Sequence, residues 1–60
     1  MYRANVIERA YQIARSGTAG TIDDLQRHLI AEGYEGVHMH IAGSLRNELR
    51  GLIRATRPSA

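Results

Sequence analysis

The apolar residues of this chain recur at helical spacing in three stretches, and glycines separate the stretches. A period of three to four residues, interrupted in this way, points to a set of short amphipathic helices. In the first stretch Val6, Ile7, Ala10, Ile13 and Ala14 form a stripe, with Tyr2 and Tyr11 beside it. Asn5, Glu8, Arg9, Gln12 and Arg15 fall on the opposite side. The spacing predicts a helix over 3–16 with one buried face. Gly17 is its stop, because glycine accepts the left-handed conformation that follows a last helical turn.

The second stretch carries signals at both ends. Thr21 is a cap residue, and Asp24, three positions on, is placed to reach back toward it. Asp23 and Asp24 also suit the positive end of a helix. Ile22, Leu25 and Leu29 make the buried stripe, with Ile30 at its edge. Gly33 ends the pattern, and Tyr34 is expected to fold back onto Leu29. The helix predicted here covers 22–32.

Residues 37–44 allow two readings. Val37–Ala42 is either a short helix or the opening turns of the last one. Glycine inside a helix costs about 1 kcal/mol relative to alanine, which favours a break at Gly43. Ile41 stays in phase with Leu45, Leu49, Leu52 and Ile53, which favours continuity. The balance predicts a short helical turn, a kink at Gly43, and a main helix over 44–56 with Ser44 as its cap. The expected fold is all-α: a compact three-helix bundle over 1–57, helix-turn-helix-like, with room for a short extra helical turn before the last helix. Residues 58–60 are expected to form a frayed tail.

Size limits what such a bundle does. Sixty residues make one small core, worth about 3–5 kcal/mol net. A substrate cleft of about 300–1,000 Å³ needs more wall than three short helices supply. The chain holds no cysteine, which excludes disulfides and thiolate metal sites and favours a reducing compartment. Its apolar runs are too short to span a membrane, and Met1–Asn5 carries no apolar stretch of the signal-peptide kind. A cytoplasmic protein that is not an enzyme, with no cofactor and no membrane partner, is the expectation.

Charge supplies the one functional lead. All eight basic residues are arginine. Residues 1–42 hold four of them against five acids, whereas residues 43–60 hold four against Glu48 alone. Arg46, Arg50, Arg54 and Arg57 follow spacings of four, four and three, which on a helix makes one ridge beside the leucine stripe. Guanidinium groups offer planar forks of donors that match phosphate oxygens. The plainer alternative is that these arginines solvate an exposed face and cover apolar surface with their stems.

The order of elements adds to that lead. A capped helix, a glycine stop, a connection and a basic helix is the layout of a helix-turn-helix reader. Thr21, Leu25, Leu29, Gly33 and Tyr34, followed by Ser44-Leu45-Arg46 and Leu49, resemble the DNA-binding domain of arginine-repressor-type proteins. The resemblance covers about half of the chain. The turn is longer here, and no β-hairpin wing follows the last helix. The resemblance implies that Ser44, Arg46, Asn47 and Arg50 face the groove. The arginine spacing, read separately, puts Arg46, Arg50, Arg54 and Arg57 on the phosphate backbone. The whole chain is also similar to a group of small bacterial three-helix proteins, through Glu8-Arg9-Ala10-Tyr11-Gln12, Ser16-Gly17, Glu32-Gly33-Tyr34 and the leucine-rich basic helix. That likeness implies a fold and no activity.

Other constellations carry less. His38 and His40 diverge on a helix, with only His28 as a further histidine, so no metal site is expected. Gly17–Thr21 has glycines but no lysine and no preceding strand, so it is not a phosphate loop. Asp23 and Asp24 diverge on their helix and read as stabilisers of its first turn, and no serine sits in a nucleophile context. The tyrosines lie on different elements rather than forming a stacking platform. The expected partners are therefore DNA or RNA on the arginine ridge. The alternative is a protein partner or a second copy docking on the apolar stripe of the last helix, or on Tyr2, Val6 and Ile13 of the first.

Overall fold

The computed structural model describes residues 4–56. These form four helices: α1 (Val6–Ser16), α2 (Ile22–Ala31), α3 (Val37–His40) and α4 (Gly43–Thr56). Among the described residues there is no strand. The single turn α3 is the short helical turn expected before the last helix, and it stands as a helix of its own. The expected tail at 58–60, together with Tyr2 and Arg57, lies outside the described residues.

Each boundary has a local cause. α1 begins three residues later than the periodicity predicted, because Asn5 is its cap and not part of its polar face. The Asn5 side chain accepts from the Glu8 amide at 2.9 Å, satisfying a donor the first turn leaves open. At α2, Thr21 Oγ1 accepts from the Asp24 amide at 3.1 Å. The return contact differs from a standard box: the Asp24 carboxylate accepts from Gly20 at 3.3 Å, one residue before the cap. The end of α2 is a double wrap. Tyr34 N–H donates to Leu29 O at 3.2 Å and Gly33 N–H to Ile30 O at 3.0 Å, with Gly33 at φ 93°. That pattern satisfies two of the carbonyls a helix end leaves open.

The junction between α3 and α4 is a break. Ile41 leaves helical geometry at φ −94°, ψ 78°, and Gly43 stands at φ 61°. A side chain at Gly43 would be strained in that backbone conformation. Since α4 starts at Gly43, Ser44 sits inside its first turn and does not cap it.

Around one core, Leu25, Leu29, Ile41 and Leu49 are the largest fully buried side chains. Val6, Ala10, Ile13 and Ala14 come from α1, Ile22 from α2, Val37 from α3 and Ile53 from α4. Ile41 is thus a core residue, but on the connection rather than in phase on one long helix. Gln26 is buried as well, a position the apolar pattern did not mark. α4 packs most extensively on α1 and also touches α2.

Candidate nucleic-acid interface

The placement of α4 follows from which of its residues are consumed by the core. Leu49 and Ile53 are buried, and Leu45 and Leu52 pack half-buried against them. Thr56 fixes the far end: its Oγ1 lies 3.0 Å from Ala14 O on α1 and 3.2 Å from Ile53 O. On the flank toward α1, Glu48 faces Tyr11. The Glu48 carboxylate, acting first as hydrogen-bond acceptor, pushes the Tyr11 phenol above its ordinary range. Desolvation adds to this, while nearby Arg15, its guanidinium 5.5 Å from the ring centre, opposes it.

The opposite flank carries the predicted ridge. Arg46, Arg50 and Arg54 are all exposed, and at 100° per residue they line one side of the helix. Ser44 and Asn47 are exposed too, nearer its outermost line. Arg57 falls outside the described residues. Arg50 and Arg54 border a shallow hollow of about 220 Å³, shared with Gly20, Thr21, Ile22 and Ile53. The ridge therefore runs beside the start of α2. Sequence reasoning found the arginines and the Thr21 cap separately, but nothing in the local pattern signals that the two meet.

The ion pairing is uneven. Among the described residues the salt bridge is that of Arg9 with Glu32, which ties α1 to the end of α2. It is bidentate, Nε to Oε1 and Nη2 to Oε2, both at 2.8 Å. Arg9 also reaches Gln12 at 3.1 Å, and the carboxylate holds its guanidinium above the usual arginine range. No carboxylate among the described residues forms a salt bridge with Arg46, Arg50 or Arg54.

The remaining candidates are dispersed. His38 and His40 are exposed on the one-turn α3, and no group of three His, Cys, Asp or Glu among the described residues lies close enough to hold a metal ion. No described helix is long and apolar enough to cross a membrane. Tyr34 is turned inward, its hydroxyl donating to Ala4 O at 2.6 Å. The apolar residues expected to meet a partner, Val6 and Ile13 of α1 and Leu49 and Ile53 of α4, are buried inside the chain's own core. Comparison with protein-family models, with curated proteins and with solved structures finds no match to this chain.

Proposed function

We propose that this chain is a small nucleic-acid-binding module, helix-turn-helix-like, in which α4 is the contact element. One observation carries the reading: Arg46, Arg50 and Arg54 stand exposed along one flank with no salt-bridge partner among the described residues. Arginines that merely solvate a surface meet the same description singly. Three in a row beside a helix, with the adjacent acid Glu48 turned to the other flank, leave a one-signed edge. Such an edge suits a polyanion.

In this reading the ridge, extended by Arg57, contacts backbone phosphates. Ser44 and Asn47 are the polar groups nearest base edges. Arg50 and Arg54 border the same hollow. The sequence resemblance of Thr21, Leu25, Leu29, Gly33 and Tyr34 with Ser44-Leu45-Arg46 to the arginine-repressor-type domain points to the same assignment. The proposal involves no catalysis and no cofactor.

The test is a fluorescence-anisotropy titration of labelled DNA and RNA at about 50 mM salt, where phosphate contacts are strong. The expected result is binding that the Arg50→Ala/Arg54→Ala double variant largely loses. Absence of binding to either nucleic acid by the unaltered protein ends the proposal.

A second reading, docking on a protein or on another copy, has its own observation. Met39 is 87% exposed and Ile30 51% exposed. Sedimentation that shows a monomer at high concentration, unchanged by Met39→Ser, removes the homodimer from this alternative.

A further inference from the structure

Val37, Ile41, Leu45, Leu49 and Ile53 recur at every fourth position through α3 and α4. Run as one helix, residues 37–56 would carry Ile41, Leu45, Leu49, Leu52 and Ile53 within about 120° of the wheel, with Val37 at the edge of that face. The fold takes another course. α3 ends at His40, α4 begins at Gly43, and only Ile41 and Ala42 join them. By turning there, the chain brings Val37, Ile41, Leu49 and Ile53 into one core. The same residues thus suit two backbones, one bent and one straight.

Gly43 decides between them. It stands at φ 61°, a conformation that glycine reaches freely and residues with a Cβ do not. A Cβ built on it meets nothing within 4 Å, so backbone preference alone is at stake. Glycine is also the poorest non-proline residue inside a helix. It therefore favours the bend twice, being at ease in the bent form and disfavoured in the straight one.

Straightening the junction lifts α4 from α1, its most extensive contact. In a lone chain that uncovers Leu49 and Ile53 together with the buried face of α1, a loss that so small a core does not sustain. The surface that fits the vacated place is the α4 of another copy, because it carries the same side chains. Exchange between two copies rebuilds each contact across the pair, and a connection this short between packed helices invites it. We infer that α4 is an exchangeable element, with residues 41–43 as its hinge and a second copy of this chain as its acceptor. Gly43 is the residue that keeps the chain closed on itself. The inference does not depend on what the arginine flank binds.

The experiment removes the preference of glycine. Alanine at position 43 is penalised in the bend and favoured in the straight helix. A dimer contains two hinges, so Gly43→Ala is expected to raise the dimerisation constant by about a thousandfold. Gly43→Asn is the control, since asparagine tolerates the left-handed conformation and is a poorer helix former than alanine. It is expected to stay folded and to sediment as the unaltered protein does. All three proteins are refolded from denaturant at low and at high concentration, sedimented, and followed by circular dichroism.

A cross-link tells exchange from the docking of closed copies. Tyr11 and Glu48 meet within one closed chain, and the chain has no cysteine of its own. Gly43→Ala chains carrying Tyr11→Cys are refolded together with Gly43→Ala chains carrying Glu48→Cys and treated with a short thiol–thiol cross-linker. The expected product is a covalent pair of chains, because exchange sets position 11 of one copy against position 48 of the other. The same two proteins refolded separately and then mixed should give far less of it.

A Gly43→Ala protein that stays monomeric at high concentration overturns the inference, whether it remains folded or has lost its helical signal. So does a dimer that forms equally in Gly43→Asn, because the hinge conformation then plays no part. A Gly43→Ala dimer that gives no covalent pair overturns it in favour of closed copies docking surface to surface.

Discussion

The two flanks of α4 carry different residues and are used differently. Toward α1, Glu48 faces the Tyr11 phenol and Thr56 is tied to Ala14 O. Toward α2, Arg46, Arg50 and Arg54 line an open edge and share no salt bridge among the described residues. The contrast extends to Arg9, an arginine clasped at two points by Glu32. Side-chain identity does not decide whether a guanidinium serves the fold or faces outward; a carboxylate within reach does. One flank sets where α4 lies, and the other is open.

The most damaging change removes the spine under both flanks. Leu49 is fully buried, and a buried Leu→Ala costs about 2–5 kcal/mol. A domain with about 3–5 kcal/mol in total should lose most of its helical circular dichroism at room temperature. A cooperative melt close to that of the unaltered protein would show that the two flanks do not depend on one core.

Charge reversal separates the flanks. Arg50→Glu and Arg9→Glu change the net charge equally. Arg50→Glu should lower nucleic-acid affinity by about tenfold or more and leave stability within about 0.5 kcal/mol, as expected of an exposed position. Arg9→Glu should lower the melting midpoint, since it sets two carboxylates together, and affect binding less. Equal effects of the two on binding would mean that net charge alone matters and the ridge does not.

Much of this arrangement was legible in the sequence. The stops at Gly17 and Gly33, the Thr21 cap and the stripes of α1, α2 and α4 are local signals. Each depends on residues within a turn or two, so periodicity and cap chemistry find them. The break at Gly43 was legible from the cost of glycine inside a helix, although the phase of Ile41 argued for continuity; the left-handed φ of Gly43 is seen only in the fold. Asn5 was misread as helix surface, since a cap and a polar face look alike until the first turn is built. The tied flank was not legible at all. Tyr11 with Glu48, Thr56 with Ala14, and Arg9 with Glu32 join residues far apart in sequence, and no spacing rule pairs them. The arginine ridge was found by spacing, but its position beside Gly20–Ile22 is a product of packing.

Smaller effects test the tied flank. Thr56→Val deletes the hydroxyl and keeps the shape, and should cost about 0.5–1.5 kcal/mol with no loss of nucleic-acid affinity. A cost near zero would mean that the tie to Ala14 does not position α4. Tyr11→Phe should give the smallest change, and one that depends on pH. The folded phenol titrates above its ordinary range, so its contribution is complete below about pH 10, the unfolded value. It is lost as pH rises through the higher folded value. The difference in melting midpoint between the unaltered protein and Tyr11→Phe should be steady near neutrality and shrink in alkali. A difference that stays constant into alkali would show that Glu48 does not act on Tyr11.

The open flank is the central claim, and its most direct measurement is the salt dependence of duplex binding. Each arginine that neutralises a phosphate contributes about −0.9 to the slope of log K against log salt. The unaltered protein should give a slope near −3 from Arg46, Arg50 and Arg54, or steeper if Arg57 joins them. Arg50→Ala/Arg54→Ala should flatten the slope by about 2. A slope that is the same in both proteins would contradict the account, because it would place the phosphate contacts somewhere other than the open flank of α4.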